Sequence, residues 1–276
     1  MPMAGIRRDK AHRGHRGGVD GARVGVDDVD VLRRIRVCEG IAEVVADAEV
    51  VFEAAPEKIA LKLAIFAEVE AAAPATAILA SNTSVMPITP IMTGHRDKSR
   101  ALGTHWWDPP HLIPLVEVIR TADTSEPVMA ALLAAAGKTP VRVEKDVPGF
   151  IGNRLQHALW REAISLVEKG ICDAASVDAV VKASFGRRLA VLGPLENADL
   201  VGTDLTLDIH NTVLADLEDS HAPSPYLENL VAQGKLGMKS GEGFQRWTPD
   251  QAARLRARVV QHLQRLDAIL KATDAL

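Results

Sequence analysis

Glu49-Val50-Val51-Phe52-Glu53-Ala54-Ala55 (EVVFEAA) is a short β-branched run, and beyond Pro56 the residues Leu61, Ile65, Val69 and Ala72 recur at helical spacing. A strand followed by an amphipathic helix is the expectation, with Pro at a favoured N-terminal position. Working outward, Ala77 to Ala80 (AILA), Ala101 to Trp106, Ile113 to Ile119 (IPLVEVI) and Val141 to Val143 form further short apolar runs. Strands alternating with helical segments predict parallel α/β layering over residues 35–145.

After Asp146-Val147-Pro148-Gly149 the alternation stops. Ile151, Leu155, Leu159, Ala163 and Val167 mark one face of a long helix ending near Gly170, and further helices are expected at about 174–183, 195–215, 226–233 and 249–270. Residues 146–276 are therefore read as a helical second domain. At the other end, Arg7, Arg8, Lys10, Arg13 and Arg16 are interleaved with Gly and His and followed by Asp27, Asp28 and Asp30. Such a segment buries little apolar surface, so residues 1–34 are expected to be a solvated tail.

The 276 residues are 47% hydrophobic and 25% charged, the balance of a globular chain. Thirty-two Lys and Arg against thirty-six Asp and Glu leave a net charge of −4, without the positive excess of a nucleic-acid binder. Cys38 and Cys172 are the two cysteines and lie in no C-x-x-C pair, which argues against a thiolate zinc cluster or a disulfide framework. No apolar stretch reaches the roughly 18 residues of a membrane span, and the expected setting is the cytoplasm. His95, His111, His157, His210 and His221 lack metal-ligand spacing, so no metal is expected.

Two constellations could carry chemistry. Ser81-Asn82-Thr83-Ser84 follows the AILA run and so stands at the carboxyl end of an expected parallel strand, where open α/β sheets bind ligands. Clusters of this kind also cap helices. His105 ends another apolar run, and Glu117 lies inside the IPLVEVI run, where a carboxylate needs a partner. A carboxylate bonded to one imidazole nitrogen leaves the other to take a proton, as a general base oxidising an alcohol would. A structural His and a Glu at a sheet edge is the alternative.

SNTS at 81–84, GTHWWDPPHLIPLVEVI at 103–119, DVPGFIGNRL at 146–155 and GMKSGEGF at 237–244 together resemble the L-3-hydroxyacyl-CoA dehydrogenase family, from about Ile35 to the end. PPHLIPLVEVI, NRLQ at 153–156 and GPLE at 193–196 are most similar to the branch of gulonate dehydrogenases and pyridine-carboxylate dehydrogenases. The resemblance implies an NAD-dependent oxidoreductase that oxidises the hydroxyl of a 3-hydroxyacyl-CoA or a related small hydroxy-carboxylate to a ketone. It implies a Rossmann-like parallel sheet domain, a helical domain and a homodimer formed through the latter. His105 matches the family's catalytic base, Glu117 the carboxylate that orients it, and Ser84 and Asn153 the polar groups around the substrate oxygen. Glu57 and Lys62 match cofactor-contacting positions, although an ion pair on a helix surface would explain both.

Departures from the family pattern are Asp108, where the family has Asn, and Trp106 and Trp107, where it has smaller side chains; both are expected to alter the substrate pocket. No G-x-G-x-x-G turn follows an apolar strand, because Gly14, Gly17, Gly18, Gly21 and Gly25 are wrongly spaced. The sheet domain is accordingly expected to be incomplete, with a foreign or wrongly chosen start on a dehydrogenase body, and the choice between NAD and NADP goes unread. A catalytically inactive, dimerising remnant is the rival expectation.

Overall fold

The computed structural model describes residues 3–6, 33–125, 127–135 and 137–272. The expected tail at 1–34 lies largely outside these residues. Within it, strand β1 (Met3–Ile6) pairs antiparallel with β2 (Ile35–Cys38), Met3 opposite Cys38. Helix α1 (Ile41–Val45) follows, and then the five strands of the main sheet and their helices: β3 (Val50–Glu53), α2 (Ile59–Ala72), β4 (Ile78–Ser81), α3 (Ile88–Ile91), β5 (Ala101–Trp106), β6 (Leu115–Ile119), α4 (Pro127–Ala135) and β7 (Thr139–Val143). The sheet order is β3-β4-β5-β6-β7.

The five strands meet at four junctions, of which β3 with β4, β4 with β5 and β6 with β7 are parallel, while β5 and β6 run antiparallel. The parallel layering expected of the sheet holds at three junctions and is reversed at this one. A parallel connection needs a crossover of about a dozen residues or more, and the helix-free segment 107–114 is too short to make one.

Side chains alternate between the two sheet faces with the period of a strand. Leu79, Ala101 and Ile119 join Ile65, Phe66 and Val69 of α2 in one core, while Ala80, Leu102, Val116 and Val118 join Met129 and Leu133 of α4 in the other. His105 and Glu117 share strand parity with Ala101 and Ile119, which places them on the α2 face. The buried stripe of α2 is Lys62, Ile65, Phe66 and Val69. Leu61, expected to face inward, is exposed, and Lys62 takes the inward place.

The chain divides into two compact units between Asn153 and Arg154, with His111–Ile113 grouped with the second. The helical unit is built from α5 (Gly152–Glu168), α6 (Ala174–Ala183), α7 (Pro194–Val201), α8 (Thr203–Val213), α9 (Pro225–Ala232) and α10 (Pro249–Ala272). The single helix expected over 195–215 is two, because Gly202 adopts φ 101°, a backbone state that interrupts a helix and that glycine reaches without strain. Among the described residues of this unit only Leu230, Ala252 and Leu270 are buried hydrophobics. No helix of the described residues is long and apolar enough to cross a membrane, and no group of three or more His, Cys, Asp or Glu among them could hold a metal.

Candidate active site

The antiparallel register of β5 and β6 sets His105 directly opposite Glu117. Opposed residues project to the same face, and here Nδ1 of His105 lies 2.7 Å from Oε2 of Glu117, both side chains buried. The second carboxylate oxygen accepts the backbone N–H groups of Ile151 (2.8 Å) and Gly152 (3.0 Å) at the start of α5. Burial pushes the Glu117 carboxyl up, but the bonds from His105, Gly152 and Ile151 and the charge of His105 outweigh it, and the net displacement is downward. An ionised Glu117 can only accept, so Nδ1 carries the proton of that bond, and in the neutral imidazole the lone pair is on Nε2.

Two aromatic rings flank the imidazole, Trp107 at 5.2 Å and Phe150 at 5.7 Å between centroids. A Cβ at Gly152 would come within 2.4 Å of the Trp107 ring, so the tight packing requires glycine there. Trp106 faces the other way, edge-on to Phe52 and beneath the Lys138 ammonium. Of the two tryptophans, only Trp107 packs on the candidate base. Asp108 is exposed.

The turn at 146–150 belongs to the same assembly. Asp146 accepts the N–H groups of Ile88 (2.8 Å) and Thr89 (2.6 Å) at the start of α3, and Gly149 N–H donates to the Val85 carbonyl. Asn153, buried on the first turn of α5, donates from Nδ2 to the Ser84 carbonyl at 2.7 Å. Ser84 itself is exposed. Hydrogen bonds thus connect His105 through Glu117 to residues 151 and 152, whose neighbour Asn153 bonds to Ser84.

Glu57 and Lys62 lie at the carboxyl edge of β3 and β4. Glu57 accepts the Ser84 N–H at 2.6 Å and the Thr83 hydroxyl at 3.0 Å to each oxygen. Lys62 is fully buried, its ammonium 2.9 and 3.1 Å from the two oxygens of Glu53, 3.0 Å from the Ala55 carbonyl and 3.7 Å from Glu57. This is not an ion pair on a helix surface. Glu53 also accepts the Ser81 hydroxyl at 2.6 Å and the Ala55 N–H at 2.6 Å. The sequence reading passed over Glu53, although a carboxylate inside EVVFEAA needs a partner for the same reason that Glu117 does. Phe150 and Gly152 were also passed over; a glycine two residues before the Arg of GFIGNR was their one visible signal.

Comparison with known proteins identifies the family. A family model described as 3-hydroxyacyl-CoA dehydrogenase, NAD binding domain, matches residues 8–147, and one described as 3-hydroxyacyl-CoA dehydrogenase, C-terminal domain, matches residues 149–247. The first match reaches back into the arginine-rich segment, ahead of the motifs that start near Ile35. The chain is 35% identical over 243 residues to 5-formyl-3-hydroxy-2-methylpyridine 4-carboxylate 5-dehydrogenase of Mesorhizobium japonicum, covering 87% of this chain and 79% of that relative. It is 44% identical over 172 residues to L-carnitine dehydrogenase of Streptomyces griseus, covering 61% of this chain and about half, 51%, of that relative. A crystal structure of the pyridine-carboxylate 5-dehydrogenase, described as an NAD+ dependent dismutase, superposes with a TM-score of 0.81 at 35% identity, covering 85% of this chain and 77% of that one. The chain belongs to the 3-hydroxyacyl-CoA dehydrogenase family of NAD-dependent oxidoreductases.

Proposed function

We propose that this dehydrogenase oxidises the hydroxyl of a 3-hydroxyacyl-CoA or a related small hydroxy-carboxylate to a ketone, with His105 as the general base. The observation that carries the reading is the His105–Glu117 pair, in which one carboxylate oxygen holds the imidazole and the other holds the start of α5. Nε2 takes the hydroxyl proton as the carbinol hydrogen departs, and Glu117 fixes the tautomer and favours the imidazolium that results. Ser84 and Asn153 hydrogen-bond around the substrate oxygen.

NAD, when bound, accepts the carbinol hydrogen as hydride. The described residues fit the nicotinamide end of that cofactor: the carboxyl ends of β3, β4 and β5 meet at one sheet edge, with the Glu57 carboxylate partly exposed there. Two of the relatives above are named for free carboxylates, a pyridine carboxylate and carnitine, which favours a small carboxylate as substrate. The helical unit pairs with a second copy of itself, since it leaves many large apolar side chains exposed and buries few.

Titrating NADH into the purified chain and following its fluorescence tests cofactor binding, and turnover of 3-hydroxybutyryl-CoA against free 3-hydroxybutyrate tests the substrate class. His105→Ala is expected to lower kcat by about 10²–10⁴-fold with NADH affinity nearly unchanged. Equal turnover by variant and parent removes His105 from the chemistry. A folded chain that binds no NADH is the outcome expected of the rival, a dimerising structural protein without catalysis.

A further inference from the structure

We propose that Trp107 is a positioning residue for the His105–Glu117 pair, seating the imidazole and the Gly152 amide against the carboxylate they share. The inference rests on the reading of His105 as the general base and adds a side chain that acts through it. Trp107 follows His105 by two residues, just beyond β5, and its ring centroid lies 5.2 Å from that of the imidazole, the planes inclined at 48°. Its outer edge reaches Gly152: a Cβ there would fall 2.4 Å from Cζ2, 3.2 Å from Cε2 and 3.3 Å from Cη2. The Gly152 N–H donates to Oε1 of Glu117 at 3.0 Å, and Oε2 of the same carboxylate meets Nδ1 of His105 at 2.7 Å. His105, Glu117, Gly152 and Trp107 therefore form a closed circuit, two links made by hydrogen bonds and two by the packing of the indole.

Two features single out the indole as the part of that circuit chosen for shape. Gly152 opens α5 with a backbone outside the left-handed region, where alanine is the better helix former. Conformation thus gives no reason for glycine at 152, and the three atoms nearest the place of a Cβ all belong to Trp107. The second feature is Nε1 of Trp107, which is buried and has no hydrogen-bond partner among the described residues. A buried donor without an acceptor is destabilising, and a phenylalanine ring would avoid it. What phenylalanine lacks is length, because it has no counterpart of the Cζ2 and Cη2 edge that meets residue 152. Only the indole spans from the imidazole to the start of α5. A misplacement of about 1 Å in a catalytic group costs on the order of 10²-fold in rate, so a ring that holds base and carboxylate in register acts on kcat.

The test compares the parent with Gly152→Ala, Trp107→Phe, Trp107→Leu and the double variant Trp107→Phe/Gly152→Ala. Gly152→Ala drives the indole edge off residue 152 and is expected to lower kcat about 10²-fold with KM within about twofold. Trp107→Phe keeps a ring beside the imidazole and is expected to lose about threefold in kcat, Trp107→Leu about tenfold. In the double variant the alanine methyl fills the space that the indole edge has left, and kcat is expected to recover at least about tenfold over Gly152→Ala. A double variant no better than Gly152→Ala overturns the proposal, as does a parental kcat in Gly152→Ala. A raised KM with unchanged kcat in Gly152→Ala also overturns it, since the indole would then serve substrate binding and not the base. One readout needs no substrate: the Nδ1 proton that His105 donates to Glu117, followed by NMR in isotope-labelled protein. Its exchange with water is expected to quicken roughly tenfold in Gly152→Ala and Trp107→Leu and to return to within about twofold of the parent in the double variant. Unchanged exchange in both single variants overturns the proposal whatever the kinetics. If the parent turns over neither thioester nor free acid, the functional reading fails, while proton exchange still decides the role of Trp107.

Discussion

Glu117 performs two tasks with one carboxylate, and each can be measured. Replacement by Gln keeps the shape, but a carboxamide has one accepting oxygen where the carboxylate has two. If that oxygen meets His105, the amide nitrogen confronts the N–H groups of Ile151 and Gly152; if it meets those groups, the amide nitrogen confronts Nδ1 of His105. Glu117→Gln is expected to lower kcat by about 100-fold or more and to destabilise the unit by about 1–3 kcal/mol. Its pH dependence has a definite sign. The folded carboxyl titrates below its ordinary value of 4.5, so protons bind the unfolded chain more readily. The contribution of Glu117 to stability is present above that value and lost as pH falls through the lower, folded value. Acid denaturation of the parent should include this loss and that of Glu117→Gln should lack it; parallel acid profiles for the two would contradict the assignment.

Elements explain what the sequence disclosed and what it withheld. Ala101–Trp106 is a strand at the expected limits because its apolar run is bounded by the polar residue Arg100 before it and the Asp-Pro pair shortly after it. The direction of β6 was not visible in its residues, which read alike in either orientation; it was written in the length of the connection at 107–114, which the alternation of apolar runs does not weigh. On α2 the inward Ile65 and Val69 were legible, but Leu61 was read in the place of Lys62, since hydrophobicity favours Leu61 and only a buried carboxylate on β3 reverses that preference. His105 and Glu117 were legible as a pair because both interrupt apolar strands. The grip on Ser84 was not, because it depends on loops whose bonds have no periodicity. Short α3 shows how remote residues fix such loops: at four residues it is held by Asp146, whose oxygens cap Ile88 and Thr89. Asp146→Ala is expected to cost about 1–2 kcal/mol and to lower the melting temperature by roughly 2–8 °C in calorimetry. An unchanged melting temperature would show that water caps α3 equally well.

At the scale of the whole molecule, apolar surface is distributed unevenly. Both buried cores belong to the sheet unit, whereas in the helical unit Leu195 is 79% exposed, Leu200 72% and Leu207 60%. The face of α5 marked out by Ile151, Leu155 and Leu159 is exposed as well. Between α5, α6, α9 and the loop at 235–247 runs an apolar groove of about 590 Å³, lined by Trp160, Ile164, Val177, Leu230, Phe244 and Trp247 among others. Large apolar patches are uncommon on a monomer, and the exposed side chains of this unit are the surface on which the proposed second copy would seat. A stable homodimer buries about 800 Å² on each partner, and helices α7 and α8 together with the exposed face of α5 offer surface of the right chemistry for it. Sedimentation of the parent at micromolar concentration is expected to give twice the chain mass. Leu195→Glu/Leu200→Glu should shift the population toward monomer, because each carboxylate would be desolvated in the interface. The same double substitution should leave the folding of the sheet unit intact, since neither residue contributes to its cores. A parent that sediments as a monomer, soluble with these side chains in water, would remove the second copy from the account of the helical unit.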